Sequence, residues 1–134
     1  LKSSTASCNF EIIKDKFKKF GVEKKITILN QRKFPHKNDH LNVYKDIDLA
    51  LDTFPYNGVT TTFEALWAGV PVLVMKGYNF NSRCGESIVK NGNLEYFLAE
   101  NEDQYIQKAT HLANNIDELT SIREKIFSNI LLAD

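Results

Sequence analysis

The stretch DTFPYNGVTTTFEALWAGVPVLVM, residues 52 to 75, places Asn57, Gly58 and three successive threonines, Thr60 to Thr62, directly before a segment of helical character. Gly58 can adopt positive φ and lets the backbone approach a ligand closely. A helix start offers unpaired N–H groups and the positive end of the macrodipole, and the threonine hydroxyls add donors at the same spot. These are the parts of a phosphate site. A carboxylate at Glu64, on the first turn, favours the dipole and can accept hydrogen bonds from two vicinal sugar hydroxyls. The same residues also suit a plain cap, because Thr61 and Glu64 stand three apart, the spacing of a capping box. Spacing alone leaves capping and ligand binding both open.

Other chemistry-bearing residues are sparser. His36 and His40 are four apart with Asp39 beside them, but Pro35 and the loop-like PHKNDH argue against a formed helix there, and no third ligand completes a metal site. His40 is better placed to stack on a planar base, or to be a surface or capping histidine. The sequence has no G-x-S-x-G, no P-loop lysine and no Cys-His pair of suitable spacing, so no catalytic group is assigned.

The elements that must hold the threonine stretch follow from periodicity. Phe10, Ile13, Phe17 and Phe20 recur at helical spacing from Asn9 to Phe20, and Gly21 supplies a stop. KKITIL at 24 to 29 and IDLALDTF at 47 to 54 read as buried strands, joined through a short helix over 40 to 47 with Asp39 as its N-cap. A helix over 61 to 68, closed by Gly69, leads to VPVLVM at 70 to 75, an apolar run suited to a parallel strand covered on both faces. Further helices are expected over 84 to 89, 102 to 114 and 116 to 131, with an apolar piece at 96 to 99 and a break at Asn114 and Asn115. Strands alternating with helices imply an α/β fold, a Rossmann-like doubly wound parallel sheet with helices at the C-terminus. Ligands of such sheets bind outside the carboxyl ends of the strands, which is where the threonine stretch falls.

Composition bounds the rest. The chain has 134 residues, 43% hydrophobic and 25% charged, enough for one globular domain with a core. Its 17 basic residues balance 17 acidic ones, so no global positive field favours nucleic acid or an anionic membrane. The basic run KDKFKKFG at 14 to 21 reads as the solvated face of a helix. No apolar run approaches the roughly 20 residues of a membrane span, the N-terminus lacks the apolar core of a secretory signal, and Cys8 and Cys84 match no redox or metal spacing. A cytoplasmic location with free thiols is expected. The leading leucine and the uncapped polar start lead us to expect a fragment of a longer polypeptide, residues 1 to 134 forming a single partial domain.

DIDLALDTFPYNGVTTTFEALWAGVPVLVMKG, with the later NSRCGESI and ENEDQYIQKATHLANN, resembles the carboxyl-terminal part of the O-linked N-acetylglucosamine transferase family, nearest to its bacterial and plant SPINDLY-like members. The resemblance runs from about residue 9 to residue 134 and is most specific from Asp52 to Pro71. It implies the second lobe of a GT-B glycosyltransferase, which binds a nucleotide-sugar donor. By that resemblance Thr60 and Thr61 contact the donor diphosphate, with Thr62 beside them, Glu64 holds the ribose hydroxyls, His40 packs on the base, the loop around Pro35 and Lys37 meets the base edge, and Asn57 and Gly58 shape the turn. Animal relatives have histidine where this chain has Val59, and glycine where it has Thr62.

The implied donor is UDP-N-acetylglucosamine, with GDP-fucose as the alternative, and the implied acceptor is a protein Ser or Thr. No cofactor or metal is expected, since helix dipole, hydroxyls and a lysine carry the charge. The resemblance puts that lysine, the amino-terminal lobe, the acid–base groups and tetratricopeptide repeats upstream of residue 1, so the isolated chain is expected to be inactive. A non-catalytic nucleotide sensor or scaffold built on the same lobe is the competing reading.

Overall fold

The computed structural model describes residues 2–3, 8–30 and 39–131. These fall into two compact units, divided between His40 and Leu41.

In the amino-terminal unit, β1 (Lys2–Ser3) and β2 (Leu29–Asn30) pair in parallel and are connected through α1 (Cys8–Lys18). Gly21 follows α1 with φ at +67°, the left-handed stop that its position suggests. Lys14, Lys16 and Lys18 are exposed, as a solvated face requires. The strand expected over 24 to 29 is largely absent. Glu23–Lys25 is instead a single 3-10 turn closed by Lys25 N–H to Val22 O at 2.9 Å, and β2 begins only at Leu29. A strand exists where a ladder partner exists, and β1 offers two residues.

The second unit carries the sheet β3 (Ala50–Leu51), β4 (Val72–Met75) and β5 (Leu98–Ala99), ordered β3-β4-β5 and parallel throughout. The segment Asp39–Asp46 is a 3-10 helix, and Asp39 lies inside it, not at a cap position before it. Helix α2 (Thr60–Trp67) connects β3 to β4, and α3 (Cys84–Asn91) connects β4 to β5. Val72, Leu73 and Val74 are all buried although successive strand residues point to opposite faces, so both faces of β4 are covered. Helices α2 and α3 pack against β4, as does α4 (Glu102–Asn114), while α5 (Ile116–Leu131) packs on α2 and α4. Leu112, Leu119 and Ile126 supply the buried faces of α4 and α5. Asn101 caps α4 by accepting from Gln104 N–H at 2.9 Å.

Strand β3 is shorter than the 47 to 54 run suggests, but both of its ends are tied down. Arg123 of α5 donates to Ile47 O at 2.8 Å, and the Tyr105 hydroxyl of α4 donates to Asp52 O at 3.0 Å. The carboxyl end of β3, where the threonine loop starts, is therefore fixed by α4.

Glu86, in the first turn of α3, is buried between two cations: Arg83 Nε lies 2.8 Å from one carboxylate oxygen and Lys90 Nζ 2.8 Å from the other. The hydrogen bonds from Arg83 and then Lys90 hold its carboxyl down at about 2, against an ordinary 4.5. A folded-state pKa below the unfolded one gives stability that is complete above the unfolded value and lost as pH falls toward the folded one. Glu86→Gln is expected to cost about 1–2 kcal/mol at neutral pH, because two charge-assisted bonds to half-exposed cations are weakened. In urea unfolding that difference should fade between about pH 4.5 and pH 2, and a difference that persists at pH 2 would contradict the assignment.

Candidate functional site

The site grows from the end of β3. Asp52 closes the strand, its N–H donating to Leu73 O at 2.9 Å, and its side chain turns into the loop that follows. Oδ1 of Asp52 accepts from Thr53 N–H at 2.9 Å and from Gly58 N–H at 2.8 Å, which draws the loop 53 to 58 back on itself. Oδ2 is buried and has no hydrogen-bond partner among the described residues. Burial raises the Asp52 carboxyl above its ordinary range, and the two backbone bonds oppose that rise without cancelling it.

Asn57 is the second brace. It is 1% exposed and bonded inside the fold: Nδ2 donates to Thr53 O at 3.0 Å, Oδ1 accepts from Gly85 N–H at 3.2 Å, and the backbone N–H donates to Asn81 O at 3.1 Å. The loop after β3 is thereby joined to the loop after β4 and to the start of α3. Gly85 must be glycine for this approach, since a Cβ there would meet Val74 Cγ1 at 2.6 Å and Asp52 Oδ2 at 2.8 Å.

Helix α2 then starts at Thr60 with Val59 at the N-cap position and no side-chain cap. The capping box of Thr61 with Glu64 does not form. Glu64 consequently lies beyond the first turn, which contains no acidic residue, because the helix begins one residue earlier than the pattern suggests. Thr60 and Thr61 are exposed residues at the helix start, the Thr61 hydroxyl lying beside Gly58, whereas Thr62 is 2% exposed and donates to Gly58 O at 2.7 Å. Thr62 is thus a scaffold residue that fixes the Gly58 carbonyl. Gly58 is needed for space and not for positive φ: the glycines of positive φ are Gly21 and Gly69, while a Cβ on Gly58 would run into the Thr61 hydroxyl.

Glu64 is half-buried on α2, and the hydroxyl of Tyr44 donates to its Oε2 at 3.3 Å. Tyr44 Oη also lies 3.4 Å from Thr61 O. The site therefore presents a helix N-terminus with two exposed threonines, a loop held close to it, and a carboxylate one turn along. Glu64 also borders an apolar groove of about 550 Å³ with Leu41, Phe63, Leu66, Trp67 and Ile88.

The sequence profile of glycosyl transferase family 41 matches residues 7–132. The chain belongs to that family. Its α/β lobe is of the type found at the carboxyl-terminal side of GT-B O-GlcNAc and SPINDLY transferases. The tomato (Solanum lycopersicum) SPINDLY protein, named a probable UDP-N-acetylglucosamine–peptide N-acetylglucosaminyltransferase, is 42% identical over 86 residues, covering 64% of this chain and 9% of its own length. The Arabidopsis thaliana SPINDLY protein is 38% identical over 104 residues, 77% of this chain and 11% of the relative. A mutant O-GlcNAc transferase of Thermobaculum terrenum superposes with a TM-score of 0.85 at 29% identity, covering 94% of this chain and 24% of that structure. The chain thus spans about a tenth of the length of the curated relatives it matches.

On this family 41 lobe the structure brings Asn57, Gly58, Thr60, Thr61 and Thr62 together at one helix start, with Glu64 on the same helix. His40 belongs to the amino-terminal unit and is half-buried, and Pro35 and Lys37 lie outside the described residues. Two residues of the site escaped the sequence reading. Asp52 had a signal, since it ends a parallel strand at the carboxyl edge of the sheet. Tyr44 had none, being 20 residues from the carboxylate that it contacts. Among the described residues no helix is long and apolar enough to cross a membrane, and no group of three or more His, Cys, Asp or Glu could hold a metal ion.

Proposed function

We propose that this lobe binds the nucleotide-sugar donor of a glycosyltransferase, UDP-N-acetylglucosamine, for transfer to Ser or Thr hydroxyls of a protein. The observation that carries the reading is the start of α2, where the exposed residues Thr60 and Thr61 follow the loop that Asp52 and Asn57 pin in place. Breaking the glycosidic bond leaves negative charge on the diphosphate, and fixed N–H groups and hydroxyls at a helix N-terminus stabilise charge where it develops. Thr60 and Thr61 hold the diphosphate, and Glu64 accepts from the vicinal ribose hydroxyls. The names of the SPINDLY relatives, which specify UDP-N-acetylglucosamine and a peptide acceptor, support this donor and acceptor.

Calorimetry on the intact protein with UDP, GDP and their sugars tests the assignment. Thr61→Val and Glu64→Ala should each weaken binding of the preferred nucleotide by about 1–3 kcal/mol, Thr61→Val with little change in thermal midpoint, since its side chain makes no helix cap. If both variants bind like the parent, the helix start is not the donor site. A preference for GDP over UDP would reassign the donor to a guanosine diphosphate sugar.

A further inference from the structure

We infer that Tyr44 is a positioning residue for the donor ribose: its phenol holds the Glu64 carboxylate in the orientation that reads the vicinal hydroxyls. This rests on the assignment of Glu64 to the ribose. The Tyr44 ring is 8% exposed and belongs to the buried core with Ala65, Leu66 and Val70, so its hydroxyl sits on a rigid base. From there it reaches two groups of α2, Glu64 Oε2 at 3.3 Å and Thr61 O at 3.4 Å. Burial and then the Glu64 charge push the phenol up to about 12, so it remains a hydrogen-bond donor across the physiological range.

A glutamate side chain has three rotatable bonds, and its carboxylate offers about four lone-pair directions. A fixed donor on one of them restricts the others to a limited set of directions before any ligand arrives. The ordering cost of meeting two sugar hydroxyls is then lower, which is the usual gain from preorganisation.

Tyr44→Phe keeps the ring in the core and removes only the donor. Binding of UDP, 2′-deoxy-UDP, GDP and 2′-deoxy-GDP to the intact protein is compared for the parent, Tyr44→Phe and Glu64→Ala. For whichever base is preferred, Tyr44→Phe should lower ribonucleotide affinity about 2- to 12-fold, the range of one net hydrogen bond. It should leave the deoxy nucleotide nearly unchanged, so that the ribose preference contracts. An equal loss for ribo and deoxy nucleotides, or a fall in thermal midpoint with the preference intact, would show a structural tyrosine and overturn the inference. If Glu64→Ala also fails to contract the preference, the ribose assignment falls and takes this inference with it. If Glu64→Ala contracts it and Tyr44→Phe does not, only the role of Tyr44 is wrong.

Discussion

Gly58→Ala should abolish most nucleotide affinity, by about 10- to 150-fold, while the protein still folds with a thermal midpoint within a few degrees of the parent. The added Cβ meets three oxygens. Asp52 Oδ1 at 3.3 Å and Thr62 Oγ1 at 3.4 Å can yield by a few tenths of an ångström, but the Thr61 hydroxyl occupies the same space as the new methyl. Thr61 is exposed, so it can relieve the clash by rotating about χ1. That rotation preserves the fold and takes the hydroxyl away from the anion. Backbone conformation raises no objection to alanine, because Gly58 has no positive φ. The expected loss is that of a hydrogen bond to a charged group, and it should coincide with the loss in Thr61→Val.

Combining the two substitutions makes the argument sharper. If Gly58→Ala acts by displacing the Thr61 hydroxyl, the double variant Gly58→Ala/Thr61→Val binds no worse than either single one, because the hydroxyl can be lost only once. Additive losses in calorimetry would mean that the alanine moves the backbone of the loop, and the steric account would be wrong.

What the sequence disclosed about this site depended on distance along the chain. Helices α2, α4 and α5 are legible because their apolar periodicity is local and because Gly69 and Asn115 stop the chain where the pattern ends. Strand β4 is legible as an unbroken apolar run, the mark of burial on both faces. The extents of β2 and β3 are not legible, since a strand lasts only as long as a neighbour pairs with it. The role of Asn57 in shaping the turn could be anticipated from its type, but its bond to Gly85 joins residues 28 apart in sequence. The capping box failed for a local reason: Thr61 and Glu64 have the right spacing, but the first turn begins at Thr60 and Thr61 is already inside it.

Asp52→Ala is expected to be the most damaging substitution at the site, costing about 3 kcal/mol of stability and most nucleotide affinity, whereas Asp52→Asn should bind nucleotide at least as well as the parent. The difference separates the shape of the side chain from its charge. Oδ1 holds Gly58 N–H and Thr53 N–H, and an amide oxygen in its place can still accept both. Alanine leaves those donors without a partner and frees the loop beneath Thr60. The negative charge, by contrast, opposes an anion bound at the α2 N-terminus, and buried Oδ2 has no partner among the described residues to offset its desolvation. The pH dependence follows from the raised carboxyl. A folded-state pKa above the ordinary 3.8 means that the native state binds the proton more tightly than the unfolded chain, so the contribution of Asp52 to stability is greatest below 3.8 and declines as pH rises through the raised value. Glu86 has the opposite slope, since its carboxyl is held at about 2. Urea unfolding of the parent and Asp52→Asn from pH 3 to 7 should therefore show the amide gaining on the carboxylate as pH increases. Equal loss of affinity in the alanine and asparagine variants would assign the pinning to the charge itself, and a stability difference that is flat across this range would remove the buried carboxylate from the account.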